Sequence, residues 1–161
     1  MNEFQVEYPT HTDWPWITKA HVETAWQSLG LALRQIITLD EVSQGLNDQN
    51  HKLRLEHGDT NQVFMARHPK VQQAGYVWVG QVGSTFTGKN QAFIINLYVD
   101  PEFRGQGIGS VLMRKAEEWA RLHNLDRIGL SVAVHNRVAV ELYEKEGYIA
   151  ETVRMYKLIL R

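Results

Sequence analysis

Arg104-Gly105-Gln106-Gly107-Ile108-Gly109 has the residue types and spacing to hold an anion. The apolar run Ala92 to Val99 reads as a buried strand, and Asp100-Pro101 breaks it. From Ile108 the period becomes helical: Ile108, Val111, Leu112, Ala116, Trp119 and Ala120 share one face, and Arg114, Lys115, Glu117, Glu118 and Arg121 lie mostly on the other. The first backbone N–H groups of a helix have no partner within it, and the macrodipole places partial positive charge at the same end. Glycines remove the side chains that would hold a phosphate away from those groups, and Arg104 adds a charge-assisted contact.

The spacing narrows the anion. A dinucleotide fingerprint needs a third glycine at position 110, where Ser110 stands, and no Gly-Lys-Ser/Thr triplet is present for a Walker A loop. An ordinary strand-to-helix turn rich in glycine would carry the same residues. What occurs is Arg-x-x-Gly-x-Gly after a strand ending Leu-x-Val-x-Pro. Further on stands Leu130-x-Val132-x-x-x-Asn136-x-x-Ala139-x-x-Leu142-Tyr143-Glu144-Lys145-x-Gly147-Tyr148.

These two segments, in this order and separated by one helix and one strand, resemble the coenzyme A loop and the second signature of the GCN5-related N-acetyltransferase (GNAT) family. The resemblance is strongest from Ile94 to Tyr148 and weaker from Ala74 onward. It implies an α/β (α+β) fold, a mixed and mostly antiparallel central sheet flanked by helices, in which two parallel strands splay apart. Those strands would be Ala92–Val99 and Arg127–Val134. It implies acetyl-CoA as co-substrate, with its pantetheine arm against the backbone of Leu97, Tyr98 and Val99 as an extra pseudo-strand. Amides there would also polarise the thioester carbonyl. The pyrophosphate would sit on Arg104, Gly105, Gln106, Gly107, Ile108 and Gly109, with Ser110 beside them, and Asn136 would bind the coenzyme through its amide. The acceptor would be a primary amine, on a small molecule or a peptide. Tyr143 would be the general acid that protonates the departing thiolate. It lies seven residues after Asn136, two turns along one helical face.

The resemblance departs from histone-type members at the base. Between Gln91 and Val99 there is no carboxylate; the polar side chains are Gln91, Asn96 and Tyr98. His135, Glu141, His21 and Glu23 are candidates, as is a water relay through Asn96, and none is assigned. A non-catalytic acyl-CoA-binding module is the alternative from another class.

The elements that must position these residues follow from pattern. Phe4 to Tyr8 reads as a first strand, and Trp14 to Leu33 as one or two helices punctuated at Gly30. Leu39 to Gly45 reads as a short helix capped by Asp40 or Thr38. Gln62–Arg67 and Ala74–Val82 read as strands joined near His68-Pro69-Lys70, and a turn from Ser84 to Asn90 leads into the central strand. A right-handed crossover makes the flanking strands of the glycine-loop helix parallel. Asn136 to Lys145 reads as a helix capped by Asn136 and ended at Gly147. Tyr148–Ala150 and Val153–Leu160 read as closing strands, and these or the exposed edge are candidate homodimer contacts. Trp14, Trp16, His21 and Trp26 are either acceptor contacts or core, and indoles at helical spacing favour core.

Composition bounds the function class. With 161 residues the chain suits one acetyltransferase domain, 1–161. Its net charge of −1 offers no basic field for nucleic acid or an anionic membrane. There is no cysteine, hence no disulfide, thiolate metal site or cysteine nucleophile, and no metal is expected. No signal peptide or spanning segment is read, which fits a cytoplasmic protein.

Overall fold

The computed structural model describes residues 4–159. A five-stranded sheet runs β1 (Gln5–Glu7), β2 (Asn61–His68), β3 (Val71–Gly83), β4 (Asn90–Val99) and β5 (Ile128–Leu130), side by side in chain order. The first three pairings are antiparallel and β4–β5 is parallel. The parallel pair follows from α4 (Ile108–Leu122), the crossover helix between its two strands. This is the mixed sheet with one parallel pair that the sequence predicts.

Two apolar layers cover the sheet. On one face α4 lays Ile108, Leu112, Met113, Ala116, Trp119 and Ala120 against Val77, Val79, Ala92 and Ile94. α4 is so placed because its apolar residues recur every three to four positions. On the other face α1 (Trp14–Ser28) contributes Ile17 and Ala20 to a core with Val63, Met65, Tyr76 and Trp78. Each strand serves both layers by alternation: Tyr76 and Trp78 face α1, while Val77 and Val79 face α4.

The elements between depart from expectation in length. α1 and a short α2 (Leu31–Arg34) are the two helices either side of Gly30. α3 spans Leu39–Leu55, well past the expected end at Gly45. Thr38 and Glu41 form a reciprocal capping box at its start, so Thr38 is the cap. Gly45 meets nothing that a side chain would strike and costs the helix only about 1 kcal/mol. Contacts further along hold α3 in place: Asn50 bonds His21 across α1 at 3.0 Å, and the Leu53 carbonyl accepts from the Asn61 amide at 2.9 Å.

Two expectations are corrected. The strand expected over 127–134 is regular only over Ile128–Leu130. The closing strands do not form among the described residues: from Ile149 to Ile159 the chain joins no ladder, and Leu160 lies outside the described residues. α5 (Arg137–Lys145) does form where expected, with Asn136 as its cap and Gly147 in the left-handed region at φ 91°.

Candidate active site

The site lies where β4 and β5 separate. The strands pair over three positions, Ala92 with Ile128, Phe93 with Gly129 and Ile94 with Leu130. Past Ile94 no ladder bond joins them, although β4 continues to Val99. The cause is one residue further along β4. Opposite β3, Asn96 faces Trp78 and Ile94 faces Val79, so Ile95 is an inserted bulge residue. The bulge turns Ile95, Asn96 and Tyr98 toward the α1 face, while Leu97 and Val99 rejoin the α4 face. The backbone of Leu97, Tyr98 and Val99 therefore borders a gap on the side where the next strand would lie.

The glycine loop closes the open end of that gap. Pro101–Phe103 forms a single 3₁₀ turn, capped by the Asp100 carboxylate accepting from the Glu102 amide at 3.0 Å. Arg104 donates from Nε to the carbonyl of Val99 at 2.9 Å, which ties the guanidinium to the end of β4. Gly105 and Gly107 are left-handed, at φ 74° and 82°, and space is open around both. Gly107 is the residue before α4, and Val111 is the first amide to bond back to it, at 3.1 Å. The amides of Ile108, Gly109 and Ser110 thus have no carbonyl acceptor in the helix. The Ile108 side chain is buried in the core, so its backbone is what it offers here. Gly109 has a further reason to be glycine: a Cβ there would stand 3.0 Å from the Leu142 side chain, where α4 meets α5. Gln106 is exposed and reaches back to the Glu102 carbonyl at 3.4 Å. Left-handed glycines with open space, free amides and a tethered arginine fit a pyrophosphate, and the unpaired stretch of β4 fits an extended arm.

α5 carries the other two predicted residues and packs against the start of α4 through Leu142. Asn136 Oδ1 caps α5 by accepting from the Ala139 amide at 3.3 Å, which leaves its amide nitrogen to donate outward. Tyr143 is packed against the α4-side core and its ring stands 6.2 Å from that of Tyr148. Burial holds its phenol above the ordinary tyrosine value. It is therefore protonated at neutral pH, and among the described residues its hydroxyl bonds to nothing.

The opposite face is lined by α1. Trp16 packs edge-on to Tyr98 at 5.5 Å and to Tyr76 at 5.8 Å. At the other end of α1 the Gln27 carbonyl meets His135 Nε2 at 3.0 Å. α1 thus bridges β4 and the segment after β5. Trp16, Ala20, Glu23 and Gln27 lie along one face of α1, at helical spacing. Burial, then the charges of Glu23 and Asp100, raise the Tyr98 phenol above its ordinary value, while Arg104 opposes them.

The remaining candidates sort themselves by contact. Trp14 is wedged among Trp78, His57 and Arg54, and Trp26 lies under the Arg34 guanidinium. His21 is buried and bonded to Asn50, and burial lowers its pKa. Glu141 is exposed on α5. Asn96 is buried, with its carbonyl oxygen taken by the Tyr76 hydroxyl. The bulge at Ile95 is the feature that sequence reading missed. Its only trace is a phase slip, since Ala92 and Ile94 share a face with Leu97 and Val99 rather than with Asn96 and Tyr98. No group of three or more His, Asp or Glu side chains is placed to hold a metal ion among the described residues.

A mixed sheet opened at a bulge, with a glycine-lined helix start at the open end, is the frame of a coenzyme A-dependent acyltransferase. Residues 31–148 match the model of the Acetyltransferase (GNAT) family, and the chain belongs to that family. It is 40% identical over 125 residues to the thialysine N-epsilon-acetyltransferase of Sus scrofa, covering 71% of this chain and 73% of that one. It is 31% identical over 86 residues to the "Uncharacterized N-acetyltransferase YdgE" of Bacillus subtilis, a match spanning 53% of this chain and about half, 54%, of that one. Among solved structures, a "Putative acetyl transferase from Pyrococcus furiosus" superposes with a TM-score of 0.80 at 29% identity, covering 98% of this chain and 100% of that one. Members of the family use acetyl-CoA as co-substrate. No described helix is long and apolar enough to cross a membrane.

Proposed function

We propose that this chain, working as one acetyltransferase domain, moves an acetyl group from acetyl-CoA to a primary amine by direct attack on the thioester. The observation that carries the reading is the opening of β4 from β5 past Ile94, with the start of α4 at its mouth. Arg104 and the amides from Gly105 to Ser110 bind the pyrophosphate. The backbone of Leu97, Tyr98 and Val99 pairs with the pantetheine arm, and the Asn136 amide donates to the coenzyme. When bound, acetyl-CoA supplies an acyl group already activated as a thioester. In the transfer a nitrogen–carbon bond forms, the carbon–sulfur bond breaks, the amine gives up a proton and the sulfur takes one. Tyr143 gives that proton to sulfur, and its raised pKa keeps the proton available at neutral pH.

The amine enters from the α1 face, opposite α4. The Trp16 and Tyr98 rings offer π faces to a cation and Glu23 offers the carboxylate beside them. Among the base candidates, His21 is committed to Asn50 and Glu141 lies on α5, whereas Glu23, also exposed, shares a face of α1 with Trp16. We therefore place Glu23 at the acceptor ammonium. The name of the Sus scrofa relative, an N-epsilon-acetyltransferase, supports an amine at the end of a chain as acceptor.

Calorimetric titration with acetyl-CoA, run beside a thiol-release assay over a panel of lysine-like amines, polyamines, peptides and aminoglycosides, tests the reading. Saturable binding and acceptor-dependent thiol release are expected. Gly107→Glu should abolish binding, because it puts bulk and negative charge at the helix start. Binding that survives this change would displace the pyrophosphate from the loop, and binding without release on every acceptor would favour a non-catalytic acyl-CoA module.

A further inference from the structure

Asn96 has one half of its side-chain amide engaged and the other half idle. It is 7% exposed, on β4 just past the point where β5 stops pairing. Its Oδ1 accepts from the Tyr76 hydroxyl, and among the described residues nothing accepts from its nitrogen. The side-chain nitrogens and oxygens that are both sealed from solvent and unpaired belong, among the described residues, to Arg34, Asn50, Gln91 and Tyr148. The Asn96 nitrogen is not one of them, so it is unpaired yet reachable. A donor on a buried side chain costs free energy until something accepts from it.

Tyr76 fixes which way that donor points. Its ring is fully buried on the α1 face, against Trp16 and Tyr98. Its hydroxyl has one proton and faces two oxygens, Asn96 Oδ1 and, at 3.2 Å, the Ile17 carbonyl. Asn96 Oδ1 is the nearer. Burial, then the Tyr98 phenol, holds Tyr76 well above the ordinary tyrosine value, so that proton stays in place. With the oxygen drawn toward Tyr76 of β3, the other arm of the planar amide turns away from β3, toward the side that β5 has left. The bulge at Ile95 puts this arm on the α1 face, next to the backbone of Leu97, Tyr98 and Val99. An apolar residue at 96 would leave Tyr76 its Ile17 acceptor, so the asparagine is not there for Tyr76 alone.

We propose that Asn96 Nδ2 donates a hydrogen bond to the acyl oxygen of acetyl-CoA, and that Tyr76 is the positioning residue that aims it. This role rests on the proposed reaction. An N–H donor repels an ammonium, so the partner it awaits is an oxygen and not the acceptor cation. As the amine nitrogen bonds to the acyl carbon, an electron pair moves onto the acyl oxygen, and it returns as the carbon–sulfur bond breaks. A donor aimed beforehand, on a side chain with little access to water, stabilises that charge without reorganising.

The test compares the wild type with Asn96→Leu and Tyr76→Phe. Asn96→Leu is close in volume and leaves the Tyr76 proton its Ile17 acceptor; Tyr76→Phe keeps the packed ring, and carries the same readouts should the first variant fail to fold. Calorimetry should give both variants nearly the wild-type affinity for acetyl-CoA. The carbonyl resonance of carbon-13-labelled acetyl-CoA, bound without acceptor, should move toward its free position in Asn96→Leu and part of the way in Tyr76→Phe. Single-turnover rates should fall about 100-fold in Asn96→Leu and about tenfold in Tyr76→Phe, with the acceptor KM nearly unchanged. An unmoved resonance or an unchanged rate would overturn the role. A loss confined to the acceptor KM would overturn it too, by making Asn96 an acceptor contact. A wild type that does not bind acetyl-CoA would instead overturn the acetyltransferase reading, and this role with it.

Discussion

The Tyr143 phenol takes its protonation from its surroundings. Packing against the α4-side core removes water from the phenol and raises its pKa, so it holds a proton that the same residue on an open helix would hold less firmly. Tyr143→Phe keeps the ring and its packing and removes only the proton. Turnover should fall about 100-fold with the affinity for acetyl-CoA nearly unchanged, as single-turnover rates beside calorimetry would reveal. An equal loss in both would mean that the hydroxyl binds rather than donates. Much of this scale was legible in the sequence, because Arg104, Gly107, Asn136 and Tyr143 announce themselves by spacing. Gly109 was only half legible: its closeness to Leu142 depends on how α5 packs, which no spacing within α4 encodes.

At the scale of elements, the long amphipathic helices could be read and the short pairings could not. α4 and α5 declare themselves because a helix buries one stripe against whatever lies beneath it. α3 outran its expected end because the contacts that hold it lie outside it, His21 on α1 with Asn50 and Asn61 on β2 with Leu53. β5 fell short because a strand needs a neighbour, and β4 turns away after Ile94. Elements are also joined by charge at one point. Asp13, buried before α1, accepts from Arg67 of β2 at 2.8 Å, Gln73 of β3 at 2.9 Å and the Thr10 amide at 2.7 Å. Burial alone would raise its pKa; the Arg67, Gln73 and Thr10 hydrogen bonds overcome that and hold it well below the usual carboxylate range. Asp13→Ala should cost about 2–3 kcal/mol in urea unfolding, reduced from the cost of a fully buried pair because Arg67 is partly exposed and keeps Glu7. A change under about 0.5 kcal/mol would show that the cluster orders the loop without stabilising the fold.

For the molecule as a whole, two buried groups, His21 and Asp13, and the half-buried His57 set the response to acid. His21 and His57 are both lowered from the ordinary histidine value by burial, and His57 accepts the Val63 amide at 3.1 Å as a neutral ring. A histidine lowered on folding contributes stability that is whole above its unfolded value, near 6.5, and is lost as pH falls through the folded value. Asp13, also lowered, behaves the same way in the carboxylate range. The urea midpoint should therefore hold steady above pH 7 and decline below about 6.5, by about 1 kcal/mol per pH unit for each histidine at its steepest. Asp13 should add a second decline below about pH 4. A midpoint unchanged between pH 7.5 and 5.5 would show that both rings accept a proton without loss. Both rings lie on the α1 face of the sheet: His21 packs on Trp78, and His57 packs on Trp14, which itself packs on Trp78.

The extra residue at Ile95 is in effect a change of parity. Before it, even-numbered positions of β4 meet α4; after it, odd-numbered ones do. Over the same sequence without the bulge, strict alternation would carry Asn96 and Tyr98 to the α4 side, and Leu97 and Val99 to the α1 side. One backbone step thus decides which of two chemically different layers each residue past Ile94 meets, with no side chain altered.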